Sequence, residues 1–109
     1  MSEEGAPRGA EAPAHGLRAR KRVVVHGRVQ GVWFRASTQD EARLARVSGW
    51  VCNRPDGSVE AVFEGAHDAV ERMLRYVRRG PRGARVERVE VFEEAPRGEQ
   101  DFAVRFGSG

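Results

Sequence analysis

Two glycines separate a strand-like run from a predicted helix in the segment His26–Arg35, which reads HGRVQGVWFR. Glycines let consecutive backbone N–H groups turn inward as an anion-binding nest, and a helix N-terminus adds partial positive charge. Arg35, in the first turn of that helix, offers a fork of donors that matches a phosphate group. The segment therefore indicates a phosphate site. A tight turn with a surface arginine explains the same residues, and at this point both interpretations stand.

The loop differs from the common nucleotide-binding loops. It lacks Gly-Lys-Ser/Thr and does not match G-x-G-x-x-G, and no acidic residue nearby has an obvious magnesium-binding arrangement. If the loop binds phosphate, the pattern predicts an anion site that works without a metal ion.

Three further polar side chains deserve a chemical interpretation. Asn53 ends a strand-like run, and its amide has both the acceptor and the donor needed to fix the direction of a water molecule. An asparagine that opens a hairpin more commonly stabilises the turn. Cys52 alternates with Asn53, so it is predicted to face the other side of the sheet as a buried, unreactive thiol. His26 lies inside the first strand and is predicted to be packed or half-exposed.

The elements that must position these residues follow from periodicity. Alternating and β-branched runs predict strands at 21–29, 49–53, 58–64, 86–92 and 102–106. Apolar residues at helical spacing predict helices at about 34–46 and 66–79, the second ending before Gly80 and Pro81. Arg54-Pro55-Asp56-Gly57 is typical of a hairpin turn between two of the strands.

This order predicts an α+β fold, a ferredoxin-like split β-α-β sandwich. Two helices are expected to pack on one face of a four- to five-stranded antiparallel sheet. The folded domain is predicted to span 21–106. Residues 1–20 are rich in Gly, Ala, Pro, Glu and Arg, which predicts a disordered N-terminal tail, and residues 107–109 are predicted to be a flexible end.

Composition narrows the class of protein. A chain of 109 residues, 39% hydrophobic and 32% charged, fits one domain and has no apolar run long enough to span a membrane. A single cysteine excludes an internal disulfide and favours a reducing compartment, the cytoplasm. The sequence pI is about 10.0, but the formal net charge is only +3. This small excess of basic residues does not by itself indicate a nucleic-acid-binding surface.

Two stretches together resemble one known family. VHGRVQGVWFR (25–35) and GWVCNRPDGSVE (49–60), with Asn53 eighteen residues after Arg35, are similar to acylphosphatase. The resemblance covers roughly residues 21–106, including the order of the elements. It implies hydrolysis of the carboxyl-phosphate bond of small acyl phosphates to a carboxylate and inorganic phosphate.

The resemblance also implies roles for individual residues. Arg35 and the backbone amides of the loop would hold the phosphate, and Asn53 would orient the attacking water, these two being the catalytic residues. The expected substrate-binding residues are Arg28, Val29, Gln30, Gly31, Val32, Trp33, Phe34 and Arg35. Gln30 is also a candidate for tying the loop down, and Trp33 for influencing acyl preference or shielding the loop. A monomer is expected, with no metal, organic cofactor, nucleic-acid or membrane partner.

Two other functions compete. An RNA-binding module of the same architecture needs adjacent strand aromatics in a defined pattern, and no segment matches it. An acylphosphatase-like accessory domain, such as the one that begins hydrogenase-maturation carbamoyltransferases, belongs to much longer chains with zinc-ligand cysteines. The tail and residues 107–109 depart from the family pattern.

Overall fold

The computed structural model describes residues 17–106. It forms five strands and two helices within that range. In chain order they are β1 (Arg18–Arg28), α1 (Phe34–Leu44), β2 (Ser48–Asn53), β3 (Val59–Ala66), α2 (His67–Arg79), β4 (Arg85–Glu94) and β5 (Phe102–Arg105). The predicted order of elements and the sandwich of two helices on one sheet are confirmed.

The strands form one sheet in the order β4-β1-β3-β2-β5. Pairings β1–β3, β1–β4 and β2–β3 are antiparallel, as predicted, whereas β2 and β5 pair in parallel. The difference has a topological cause. Since β4 lies at one edge and β5 at the other, residues 95–101 carry the chain across the sheet and reverse its direction. Strand β5 consequently runs the same way as β2.

The core lies between the helices and one face of the sheet. Helix α1 buries Phe34, Thr38 and Ala42 at the predicted helical spacing, whereas Ala45, the fourth residue of that predicted stripe, follows the end of the helix and is half-buried. Helix α2 buries Val70, Met73, Leu74 and Val77, as its spacing predicted. The strands contribute Val23, Val25, Val51, Val59, Ala61, Phe63 and Phe102.

Strand β5 is fixed to the core by an aromatic pair. Gly49 of β2 pairs with Phe63 on one side and with Phe102 on the other. Because Gly49 has no side chain, the two rings meet over it, with centroids 5.9 Å apart and planes at 17°. A Cβ on Gly49 would also collide with the backbone oxygen of Val62. Glycine at position 49 therefore permits the close approach of β2 to β3, and the ring pair adds to the pairing that holds β5 beside β2.

Strand β1 begins at Arg18, three residues before the predicted start of the first strand at Lys21. The first residues of β1 pair with the end of β3, and Arg20 belongs to a buried ion cluster that the sequence alone does not reveal. Arg20 is only 3% exposed and donates hydrogen bonds to Glu64 (2.9 Å), Glu94 (2.8 Å) and Glu99 (2.9 Å). The remainder of the predicted tail, residues 1–16, and the predicted flexible end, residues 107–109, lie outside the described residues.

Glu64 holds the crossing segment against the helix-free face of the sheet. Its carboxylate, 0% exposed, accepts hydrogen bonds from the backbone N–H groups of Arg97 (3.0 Å), Gly98 (2.7 Å) and Glu99 (3.3 Å). Burial by itself raises the pKa of Glu64, but the hydrogen bonds from Arg97, Arg20 and Gly98 outweigh it and lower the pKa from 4.5 to about 2.

We expect Glu64→Gln to lower the free energy of unfolding by about 2 kcal/mol at pH 7, because Arg20 and the crossing segment lose a charged acceptor. The folded-state pKa lies below the unfolded one. The carboxylate's contribution is therefore complete above pH about 4.5 and is lost as pH falls through about 2. Urea denaturation at several pH values should show the two proteins converging in stability toward pH 2.

Glu93→Gln is the matched control for this measurement. Glu93 is 76% exposed and pairs with Lys21 at 3.0 Å, so its loss should cost less than about 0.5 kcal/mol. Equal effects of the two variants would contradict the role given to Glu64.

Within the described residues, neither helix is both long and apolar enough to cross a membrane.

Candidate active site

The loop between β1 and α1 begins at a place where only glycine fits. Gly27 has φ +130, and a Cβ there would collide with the backbone oxygen of Arg85 on the neighbouring strand. The register between β1 and β4 shifts between His26 and Gly27. Farther along the loop, Gly31 has φ +75, in the left-handed region that glycine adopts without strain. The two glycines therefore allow the chain to turn from the end of β1 into the helix.

The helix begins at Phe34, preceded by an unusual residue. Trp33 has φ 63 and ψ 21, a left-handed conformation that costs a bulky residue roughly 1–2 kcal/mol. Its side chain is 82% exposed, whereas that of Val32 packs against the core. The side chain of Val32 thus anchors the loop to the core, and that of Trp33 points toward solvent.

Arg35 stands in the first turn of α1 and is held by the end of β5. Its Nη1 donates to the backbone oxygen of Arg105 at 3.3 Å, and its guanidinium carbon lies 4.7 Å from the ring centre of Phe106. One hydrogen bond and one ring face leave most of the five guanidinium donors free for a ligand. These two contacts orient the Arg35 side chain in the absence of a ligand.

Asn53, the last residue of β2, lies on the helix side of the sheet, two positions after the core residue Val51. Its Oδ1 is buried and accepts no hydrogen bond from any residue between 17 and 106. A buried amide oxygen without a partner costs free energy, so its natural complement is a water or substrate donor. Cys52 is fully buried and outside the cavity that Asn53 lines, in accord with the prediction for this pair.

Arg35 and Asn53 line the same cavity, which has a volume of about 590 Å³. The sequence separated them by a helix and a strand, and the fold brings them together. The residues that line the cavity are Val29, Gly31, Trp33, Phe34, Arg35, Ala36, Gln39, Asn53, Val104 and Phe106.

Gln30 joins the loop to the hairpin that carries Asn53. Its Nε2 donates to the backbone oxygens of Arg54 and Ser58, both at 2.8 Å. These two carbonyls flank the hairpin turn, so one amide group fixes the spacing between loop and hairpin. This agrees with the prediction that Gln30 ties the loop down.

Three of the residues predicted to bind substrate, Arg28, Gln30 and Val32, are not among those that line the cavity. Arg28 is exposed at the end of β1, opposite Arg85. For these positions a contribution through the loop backbone stays a prediction.

Sequence reasoning missed four lining residues: Ala36, Gln39, Val104 and Phe106. Gln39 follows Arg35 by four positions, so the helical period could have placed it on the same face. Its Nε2 donates to the backbone oxygen of Phe102 at 2.9 Å, which ties α1 to β5. Val104 and Phe106 reach the cavity through the parallel pairing of β5, for which the sequence has no local signal.

The cavity carries a single positive charge. Arg35 is the one charged side chain among the lining residues, so the cavity is complementary to an anion. Across residues 17–106, no three His, Cys, Asp or Glu side chains cluster in a way that could hold a metal ion. His26 is half-buried, as predicted, and its Nε2 lies 2.8 Å from Oε1 of Glu90.

Comparison with known proteins gives one consistent result. The family model described as acylphosphatase matches residues 21–104. An acylphosphatase of Rubrobacter xylanophilus is 58% identical over 87 residues, which cover 79% of this chain and 79% of that protein.

Two solved structures share the fold. The acylphosphatase from Bacillus subtilis superposes with a TM-score of 0.77 at 36% identity, covering 80% of this chain and 98% of the other. An acylphosphatase from Coxiella burnetii superposes with a TM-score of 0.79 at 33% identity, covering 86% and 99% of the two chains.

Proposed function

Since this chain belongs to the acylphosphatase family and is an acylphosphatase hydrolase, we propose that it cleaves small acyl phosphates with Arg35 and Asn53 as its catalytic residues. The backbone amides of residues 28–35 and the Arg35 guanidinium bind the phosphate. The Asn53 side chain orients the attacking water. The carboxylate and inorganic phosphate are the products.

One observation carries the assignment of roles. A guanidinium with free donors and a buried amide oxygen with no partner among the described residues line one cavity. The first is suited to an anion and the second to a water proton. Two such groups in one cavity are what in-line attack on a bound phosphate requires.

The chemical step balances without a cofactor. The water oxygen bonds to phosphorus while the bond from phosphorus to the carboxylate oxygen breaks, and its electron pair leaves on the carboxylate. One water proton passes to a phosphate oxygen, so an acyl phosphate dianion and water become a carboxylate and dihydrogen phosphate. A carboxylate is a good leaving group, which is why no general acid is needed. Arg35 neutralises charge on the transferred group.

The oligomeric state and the compartment belong to the same proposal. We take the enzyme to act as a monomer, because the two proposed catalytic residues, Arg35 and Asn53, belong to one chain and line one cavity. We place it in the cytoplasm, where its single cysteine, Cys52, stays reduced.

The test is hydrolysis of benzoyl phosphate by the purified full chain in the presence of EDTA. We expect turnover far above spontaneous decay, with or without the chelator. In water enriched in oxygen-18 the label should appear in inorganic phosphate. Label in benzoate would show attack at the carbonyl carbon and overturn the role given to Asn53. A rate equal to spontaneous decay would overturn the whole proposal.

A further inference from the structure

Two large aromatic side chains stand at the mouth of the cavity. Trp33 is 82% exposed and Phe106 is 80% exposed, and both line the cavity that holds Arg35. No other large apolar side chain between residues 17 and 106 is more exposed than these two. Exposed apolar surface beside a cavity is a common feature of ligand-binding sites.

Shielding of the loop does not account for Trp33. That function falls to Val32, which packs against the core while Trp33 projects outward. The left-handed backbone of Trp33, with φ 63, is a strained conformation for a bulky residue. Strained residues of this kind concentrate at ligand-binding and catalytic positions. Exposure and strain together point to a ligand contact.

The charges of the cavity indicate which ligand group lies there. Arg35 is the only charged residue among the lining residues, and the proposed function assigns it to the phosphate. An acyl group with its own carboxylate or phosphate would find no second cation on the cavity wall. Val29, Phe34 and Val104 add apolar surface to the same wall.

We infer that Trp33 and Phe106 form the acyl-binding part of the site and select neutral apolar acyl groups, aromatic ones in particular. This inference rests on the proposed function, because the acyl group is located relative to a phosphate bound by Arg35. Only one oxygen atom joins the acyl carbon to phosphorus, so the group must lie in the same cavity. A flat ring there stacks against indole and phenyl faces, while an acetyl group reaches little of them.

The test compares kcat/KM for benzoyl phosphate and acetyl phosphate. Trp33→Asn removes the ring but keeps a residue that tolerates the left-handed region. We expect the benzoyl-to-acetyl ratio to fall about tenfold, the size of effect that loss of one apolar contact surface produces. Trp33→Phe should keep the ratio within about threefold of wild type. An unchanged ratio in Trp33→Asn overturns the inference, whatever happens to the absolute rates.

Leu44→Asn is the matched control, since Leu44 is 73% exposed at the end of α1, the helix that follows Trp33, and does not line the cavity. It should leave both constants and their ratio unchanged. Phe106 is less suitable for the primary test because its ring also touches Arg35.

Wild-type protein that hydrolyses neither substrate contradicts the proposed function. Protein that hydrolyses both with a Trp33-independent ratio defeats only the acyl-site inference.

A binding measurement keeps the inference testable if the variant does not fold. The chain has two tryptophans, Trp33 and Trp50, and Trp50 lies away from the cavity under Arg105. In Trp50→Phe, the fluorescence of Trp33 should shift to the blue with phenacylphosphonate, a methylene analogue that resists hydrolysis. Acetonylphosphonate should bind more weakly and shift the emission less. Equal affinities and equal shifts for the two phosphonates would contradict the inference.

Discussion

Arg35→Gln is expected to lower kcat/KM for benzoyl phosphate by about 10³- to 10⁴-fold, the effect of losing a guanidinium that neutralises a transferred phosphoryl group. Arg35 is the sole charged side chain on the cavity wall, so no neighbour replaces it. Both KM and kcat should worsen, because the guanidinium binds the phosphate in the ground state and in the transition state. Inorganic phosphate should inhibit the variant far more weakly than the wild type.

The fold should survive this change. Arg35 is half-exposed and contributes one hydrogen bond at 3.3 Å and one ring contact, so its loss costs about 1 kcal/mol of stability. Arg35→Lys keeps the charge but loses the bidentate fork, and should recover only part of the activity. Arg43→Gln, an exposed change near the end of the same helix, should be neutral. Retention of a tenth of wild-type kcat/KM by Arg35→Gln would contradict the assigned role.

Asn53→Ala is expected to lower kcat by about 10²- to 10³-fold with KM changed less than about threefold. The side chain acts on the attacking water and leaves the phosphate cradle intact, so the loss falls on the chemical step. Inhibition by inorganic phosphate should stay at the wild-type level, which separates this variant from Arg35→Gln. Steady-state kinetics with benzoyl phosphate, together with phosphate inhibition, measure both quantities.

The control for Asn53 is Arg54→Gln. Arg54 is the next residue, and its side chain lies 3.9 Å from Asp56 outside the cavity, while its backbone oxygen remains available to Gln30. It should keep kcat within about twofold. If Asn53→Ala raised KM and the phosphate inhibition constant as much as it lowered kcat, Asn53 would be a phosphate ligand and not a water-orienting group.

Local patterns in the sequence were enough for most of the fold. The helical spacing of apolar residues in 66–79 and the hairpin turn at 54–57 are short-range signals, and the structure has helix α2 at His67–Arg79 and a turn between β2 and β3. The parallel β2–β5 pairing and the start of β1 at Arg18 depend on contacts between residues far apart in the chain. Arg20 pairs with Glu64, 44 positions away, and no local pattern contains that partnership.

Some residues of the candidate site could be predicted from the sequence, and others could not. Arg35 and Asn53 were found through residue types and a resemblance that spans both motifs, and the structure brings them to one cavity. Phe106 and Val104 were not predicted to line the site, because the alternating pattern of a short strand does not indicate which strand it pairs with. The left-handed backbone of Trp33 was not predicted either, since a tryptophan before a helix carries no conformational signal of that kind.

The contact between Gln30 and the hairpin bears on mutational tolerance. Gln30 donates only to main-chain oxygens of Arg54 and Ser58, so the spacing of loop and hairpin does not depend on the side chain at position 54. Substitutions at position 54 can alter the surface charge outside the cavity while the spacing of loop and hairpin stays constant. Evolution, or a protein engineer, can therefore vary position 54 separately from the catalytic residues.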